Sequence, residues 1–136
     1  MFRLCYISSS RVAVEASLID DIMAVSRPNN RAAGLTGLLV AGQRRFLQLL
    51  EGEERAVRDM FQRIKRDPRH FACVILDERP VATRQFADWD MGLVRSNCAD
   101  DDHSALAELI AGIDDPNIRA QFDGFLAING GRRAAA

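Results

Sequence analysis

The sequence predicts a single α+β domain in which a five-stranded mixed sheet carries two helices on one face. Three patterns predict this fold: a long apolar hairpin in the first half of the chain, one amphipathic segment before it and another after it. The 136 residues, 48% apolar and 27% charged, are enough for one hydrophobic core. Two further amphipathic segments near the C-terminal end are expected to pack on the other face.

Residues 34–52 are predicted to form the hairpin. The turn residues Gly42 and Gln43 separate its two apolar runs, and Gly52 ends the second run. Both faces of the second strand are largely apolar, so we expect both to be covered by other elements.

Gln48 is the one polar residue in the middle of this second strand. It shares a face with Phe46 and Leu50, while Leu47 and Leu49 lie on the opposite face. A buried amide without partners costs roughly 1–3 kcal/mol. Either the protein or a bound polar ligand must therefore satisfy the Gln48 amide.

The other elements follow from strand alternation and helical spacing. We predict a strand over Phe2–Ile7, a helix from the N-cap Ser17 to about Ser26, a helix from Glu53–Glu54 to Asp67–Pro68, a strand over Phe71–Leu76, and a short fifth strand with Trp89, Met91 and Leu93 on one face. The first helix is ended early because Pro28 disfavours the α conformation in Arg27, and because Asn29–Asn30 is typical of turns.

Two helical stripes close the chain, one on each side of Pro116. Their members are Leu106, Leu109, Ile110 and Ile113 in the first and Ile118, Phe122, Phe125 and Leu126 in the second. The order β-α-β-β-α-β-β matches the ferredoxin-like sandwich, with these two helices on its other face. We divide the chain into a main domain over 1–95, a helical extension over 96–130 and a disordered tail over 131–136.

Composition excludes several classes of partner. The net charge of −1 and the pI near 6.1 argue against nucleic acid. Cys5, Cys73 and Cys98 lie far apart, without the spacing of a metal site, and are expected to be reduced structural thiols. No apolar run approaches the length of a membrane span, so we expect a cytoplasmic protein without membrane contact.

A slot for a flat ring follows from the sheet topology. The first and third strands of a ferredoxin-like sheet are neighbours, so Tyr6 and Gln48 can meet on one face. The end of the first helix at Asn29–Asn30 and the second-helix residues Ile64 and Asp67 overlie the same face. This arrangement leaves a polar-edged slot between two helices.

Each of these residues also has a purely structural interpretation. Tyr6 alone is typical of a core tyrosine with a satisfied hydroxyl group, and Asn29–Asn30 alone is typical of a turn. Trp89 and Met91 fit a core or an edge patch. The run over residues 63–70 fits a solvated helix end. Only Gln48 favours a functional role by itself, because an apolar central strand has little reason to hold an amide.

Together, the motifs resemble the BLUF domain, the blue-light sensor using flavin. The resemblance covers about residues 2–95 and is carried by Tyr6, Ser26–Asn30, Gly34–Leu39, Phe46–Gly52, Arg63–His70 and Trp89–Gly92, in the order and spacing of that family.

The resemblance implies a noncovalent flavin, usually FAD, held between the two helices, with FMN and riboflavin left open. Its implied contacts are Tyr6, Ile22, Asn29, Asn30, Gln48, Arg63, Ile64, Asp67, Arg69 and His70. Asn30 would bind the pyrimidine edge of the ring. Tyr6 would reduce the excited flavin by coupled electron and proton transfer and then recover, leaving Gln48 rotated or tautomerised. Trp89 and Met91 would carry the signal by exchanging buried and exposed positions.

The function expected from this resemblance is that of a photoreceptor acting on a separate effector protein, as a homo-oligomer of two or more copies. We expect no enzymatic activity, because an attached cyclase or phosphodiesterase would need a further ~100 residues. Two alternatives remain open: a flavin-dependent redox enzyme, and a flavin-free interaction module on the same fold.

Overall fold

The computed structural model describes residues 1–95, 108 and 110–129. Its elements are β1 (Phe2–Ser10), α1 (Ala16–Ala33), β2 (Thr36–Ala41), β3 (Arg45–Gly52), α2 (Glu54–Lys65), β4 (His70–Pro80), β5 (Gly92–Arg95) and α3 (Pro116–Asn129). The five strands form one sheet in the order β4-β1-β3-β2-β5. The β2–β5 pair is parallel and the other pairs are antiparallel, which confirms the predicted mixed ferredoxin-like sheet.

Helices cover both faces of the sheet, as the alternation in β3 predicts. On one face α1 and α2 enclose a buried cluster that includes Phe2, Leu4, Tyr6, Ile19, Met23, Phe46, Leu50, Val57 and Phe61. On the other face, Cys5, Leu38, Val40, Leu47 and Leu49 pack with Ile110, Ile113, Ile118, Phe122 and Phe125. The C-terminal segment therefore buries the face that would otherwise expose the apolar side chains of β1, β2 and β3.

The first helix is longer than the sequence predicts, and the prediction that it ends near Ser26 is wrong. α1 begins at Ala16 after an extended Glu15, and it continues through Pro28 to Gly34, which ends it in the left-handed conformation with φ 71°. Proline removes one helical hydrogen bond, yet the helix is held beyond it by tertiary contacts. Asn30 is buried, and its Nδ2 donates to the Asp90 carbonyl oxygen at 2.9 Å.

The fifth strand begins later than predicted, and Trp89 and Met91 precede it rather than sharing one of its faces. Residues 86–89 form a turn in which the Trp89 N–H donates to the Phe86 carbonyl oxygen at 3.1 Å. β5 then starts at Gly92, where a side chain would collide with the Trp89 ring. The turn includes Trp89, which the alternation pattern assigns to the strand, so the strand begins only at Gly92.

Strand β4 contains an irregularity that matters for the site. Ala72 has a positive φ of 54°, and the pairing of β1 with β4 shifts register between Ile7 and Ser9. Such a bulge inserts an extra residue and reverses the side-chain alternation. As a result, His70 and Cys73 both face the α1–α2 side, with Cys73 Sγ 3.8 Å from His70 Nδ1.

The buried Arg3 side chain links the sheet to the residue before α3 through two ion pairs. Arg3 Nη2 contacts Asp77 at 3.0 Å and Asp115 at 2.7 Å. The hydrogen bond from Arg3 lowers the pKa of the Asp115 carboxyl below its usual range. A depressed folded-state pKa contributes stability above the unfolded value, and this contribution is lost as the pH falls through the folded value.

The Asp115→Asn variant should therefore be less stable than wild type at neutral pH, and the difference should shrink below about pH 4. Asparagine still caps α3, since Asp115 Oδ1 accepts the Asn117 N–H at 2.8 Å, so the variant isolates the charge pair. Urea unfolding across pH, with the exposed Asp114→Asn as a matched control, measures the difference. A stability gap independent of pH would refute the contribution of the Arg3 pair.

Several predicted features lie outside the described residues: Leu106, Leu109, Cys98 and the tail over 131–136. Within the ranges that are described, no helix has the length and apolarity needed to cross a membrane.

Candidate functional site

A cavity of about 180 Å³ lies between α1 and α2, above the face of the sheet that bears Tyr6 and Gln48. Every residue that the sequence nominates as a ligand contact lines it: Tyr6, Ile22, Asn29, Asn30, Gln48, Arg63, Ile64, Asp67, Arg69 and His70. The structure thus brings these residues together around one space.

Tyr6 and Gln48 form the floor of the cavity. They are direct partners in the β1–β3 register, and the Tyr6 hydroxyl group donates to Gln48 Oε1. Both side chains are buried, and the Tyr6 ring packs on Phe61 with centroids 5.1 Å apart. Burial raises the pKa of the Tyr6 phenol well above its ordinary value. Tyr6 therefore holds its proton at neutral pH, on the side of the Gln48 oxygen.

The other end of the Gln48 amide contacts Met91. Gln48 Nε2 donates to Met91 Sδ at 3.4 Å, and Met91 is only 2% exposed. Trp89 is 38% exposed and stacks on Phe86, with centroids 5.7 Å apart and planes 10° from parallel. The structure accordingly has Met91 inside and Trp89 outside.

Asn30 forms one wall of the cavity, on the last turns of α1. One amide hydrogen is used by the Asp90 carbonyl oxygen. The amide also carries a second hydrogen and a carbonyl oxygen, so it can donate to and accept from a ring edge. The extension of α1 beyond Pro28 is what places this side chain in the cavity.

The mouth of the cavity carries charge. Asp67 pairs with Arg69 at 2.5 Å, and this hydrogen bond lowers the pKa of the Asp67 carboxyl. Arg63 is exposed beside them. The cavity is therefore apolar and amide-lined within and basic at its rim, apart from the paired Asp67.

His70 closes the cavity near the end of α2. Its Nε2 lies 2.6 Å from the Ile64 carbonyl oxygen, and its Nδ1 lies 2.9 Å from Ser8 Oγ. A carbonyl oxygen only accepts, so Nε2 carries a proton, and Ser8 Oγ is the hydrogen-bond partner of Nδ1. His70 thus ties β4 to β1 and to α2. Among the described residues, no group of three His, Cys, Asp or Glu side chains could hold a metal ion.

Five further residues line the cavity that the sequence did not nominate: Val25, Ser26, Leu39, Phe46 and Met60. Val25 and Ser26 lie within the helix that the sequence predicts, and their spacing of three and four residues from Ile22 could have placed them on the same side of it. The β2–β3 register pairs Leu39 with Gln48, and this pairing could not be read before the register was known.

The cavity fits an isoalloxazine ring. Its walls offer apolar side chains such as Ile22, Leu39 and Ile64 to the faces of the ring, while the amides of Asn30 and Gln48 can bind its polar edge. A tricyclic ring with hydrogen-bonding groups on one edge needs this combination.

A family model described as sensors of blue light using FAD matches residues 1–92. The chain belongs to the BLUF family. The match confirms the resemblance found in the sequence, and with it a flavin as the bound group and blue light as the stimulus of the family.

Two solved structures with similar folds support the assignment. BlrB, a BLUF protein solved in its dark state, is 30% identical, with a TM-score of 0.73 over 93% of this chain and 96% of BlrB. BlrP1 of Klebsiella pneumoniae, solved with FMN and cyclic diGMP, is 27% identical, with a TM-score of 0.78 over 93% of this chain and 34% of that one.

A curated relative is the photoactivated adenylate cyclase subunit beta of Euglena gracilis, 32% identical over 91 residues. The match covers 65% of this chain but only 11% of the cyclase subunit. The chain therefore spans about a tenth of the length of that relative.

Proposed function

We propose that this chain is a blue-light receptor that binds oxidised FAD between α1 and α2 and uses Tyr6 and Gln48 for its photochemistry. The observation that carries the proposal is the continuous chain of contacts from the Tyr6 hydroxyl group through the Gln48 amide to Met91. A core tyrosine alone would explain the first contact. It would not explain a buried amide that points into a cavity and also touches the segment before β5.

When bound, the flavin supplies the light absorption and the transient electron acceptor. Tyr6 gives up an electron, and its acidity then rises so that its proton moves to the hydrogen-bonded Gln48 Oε1. The electron and a proton afterwards return to Tyr6, so no net oxidation remains. The Gln48 amide is left rotated or tautomerised, because its two ends have exchanged donor and acceptor roles.

Rearrangement of Gln48 alters its contact with Met91. An amide that presents oxygen rather than N–H to the Met91 sulfur loses a weak hydrogen bond there. This loss shifts the balance between Met91 inside and Trp89 inside. The signal then reaches the rest of the molecule through the segment that carries Trp89 and Met91.

The output is proposed to be a change in protein contacts rather than catalysis by this chain. In this proposal the sensor spans residues 1–95, and both the sensor and the C-terminal segment that includes α3 contact an effector protein or a second copy in the cytoplasm. The edge strand β4 supports an oligomer of two or more copies, because Phe71, Val74 and Ile75 are exposed on it.

Titration with riboflavin, FMN and FAD tests the binding proposal and the choice of flavin. Quenching of flavin fluorescence should saturate with all three compounds, because they share the ring. Tighter binding of FMN and FAD would show that the basic rim with Arg63 contacts the phosphate. A protein that quenches none of the three compounds would refute flavin binding.

Asn30→Ala should weaken flavin binding, because it removes a buried amide that lines the cavity and would bind the polar edge of the ring. The loss of such a hydrogen bond costs about 1–3 kcal/mol, which corresponds to a roughly five- to 150-fold rise in Kd. The same titration measures it. Asn117→Ala, which removes an exposed amide on α3, serves as the control. Equal Kd values for wild type and Asn30→Ala would show that Asn30 does not bind the ring.

A further inference from the structure

A buried carboxylate holds the segment that carries Trp89 and Met91. Glu51 lies near the end of β3 and is fully buried. Its Oε1 accepts the Gln85 N–H at 2.7 Å, and its Oε2 accepts the Phe86 N–H at 2.6 Å. Thr36 Oγ1 lies 3.2 Å from Oε2.

The choice of glutamate is chemically informative. Burying a carboxylate costs free energy, and hydrogen bonds must offset that cost. Two successive backbone N–H groups need two acceptors at once, and a carboxylate offers two acceptor oxygens, whereas an amide offers only one. Arg84 approaches the same corner but donates to the backbone oxygens of Gly34 and Glu51 and to Thr36. Among the described residues, the hydrogen-bond donors to the Glu51 carboxylate are therefore the N–H groups of residues 85 and 86 and the Thr36 hydroxyl group.

The held segment passes from one face of the sheet to the other. Phe86 packs in the cluster beneath α3, while Met91 packs in the cluster beneath α1 and α2. Between them the Phe86 ring stacks on Trp89, and the Gly37 N–H donates to the Trp89 carbonyl oxygen at 3.1 Å. β3 therefore touches this segment twice, at its start through Glu51 and at its end through Gln48.

We propose that Glu51 is a positioning residue that fixes residues 85–91 and thereby seats Met91 on the Gln48 amide. Glu51 does not line the cavity between α1 and α2, so it acts on Gln48 through residues 85–91. The inference rests on the proposed function only where it predicts an effect of light, because the contact between Met91 and the Gln48 amide is present in the dark.

The Glu51→Gln variant tests the proposal with little change in volume. One backbone N–H of the pair loses its acceptor, so amide exchange at residue 85 or 86 should become about ten-fold faster. Trp89 is the only tryptophan of the chain. Its fluorescence in the dark should therefore shift and become more accessible to acrylamide, and the Met91 methyl resonance should move.

Two controls separate positioning from general loosening. Thr36→Ala removes the hydroxyl group from the same carboxylate but leaves both backbone contacts. Glu53→Gln removes the same charge at an exposed residue whose side chain makes no cap hydrogen bond. Both variants should keep the wild-type Trp89 fluorescence and Met91 resonance. Equal changes in Glu51→Gln and Thr36→Ala, or no change in Glu51→Gln, would overturn the proposal.

Exchange in the wild-type protein provides a test that does not depend on the variant folding. The amides of residues 85 and 86 should be protected although they lie outside any strand or helix, and exchange at an unprotected rate would overturn the proposal. The flavin readout is separate. Glu51→Gln should retain the light-induced flavin shift while its light-induced Trp89 change is reduced. Absence of the flavin shift in wild type would refute the proposed function and leave the dark-state result standing.

Discussion

Tyr6→Phe is expected to keep its flavin and to lose the light-induced absorption shift entirely. The variant retains the ring that packs on Phe61 but lacks the hydroxyl group that donates to Gln48. Phenylalanine has no proton to transfer and is far harder to oxidise than a phenol. Tyr6 is also the only tyrosine of the chain, so no other phenol can replace it. Absorption spectra before and after blue light measure the loss.

Phe61→Leu is the matched control, because it disturbs the ring contact of Tyr6 and leaves the phenol in place. The control should still shift in light, with a spectrum close to that of wild type. A Tyr6→Phe variant that shifts as wild type does would mean that the electron comes from elsewhere, and the proposed role of Tyr6 would fall.

Gln48→Leu is expected to bind flavin more weakly and to show no light-induced shift. Leucine fills a similar volume but offers neither an acceptor to the Tyr6 hydroxyl group nor a donor to Met91. Without the Gln48 amide, the rearrangement that shifts the flavin spectrum cannot occur. The Tyr6 hydroxyl group also loses its partner, and an unsatisfied buried donor costs about 1–3 kcal/mol of stability.

Gln43→Leu makes the same substitution at an exposed position of the β2–β3 turn. It should leave the absorption shift intact, and denaturant unfolding should show a smaller change in stability than for Gln48→Leu. A light-induced shift of wild-type size in Gln48→Leu would show that the amide does not carry the change.

The floor of the site could be predicted from the sequence because strand periodicity is strict. Alternation places Tyr6 and Gln48 on faces of β1 and β3 that the sheet order brings side by side, and the β1–β3 register makes them direct partners. The face of Leu47 and Leu49 was predicted for the same reason. Packing on both faces leaves such strands little freedom in register.

Features that depend on tertiary contacts could not be predicted. Local preference ends α1 before Pro28, but the burial of Asn30 favours a longer helix, which ends only at the left-handed Gly34. Nothing in the sequence predicts the bulge at Ala72, because alanine rarely adopts a positive φ. The bulge nevertheless determines which side of the sheet His70 faces. Glu51 precedes Gly52 and two further acidic residues and resembles a solvated helix start. Only the structure shows that it is buried against residues 85 and 86.

The visible absorption spectrum of the flavin-loaded protein, recorded before blue light, directly after it and through recovery in the dark, tests the central claim most directly. If light rearranges the hydrogen bonds of Gln48 around an oxidised flavin, the whole flavin band should move to longer wavelength, keep its intensity and return in the dark. A band that bleaches under light would show net reduction of the flavin, and a band that does not move would show no rearrangement. Either result would contradict the account.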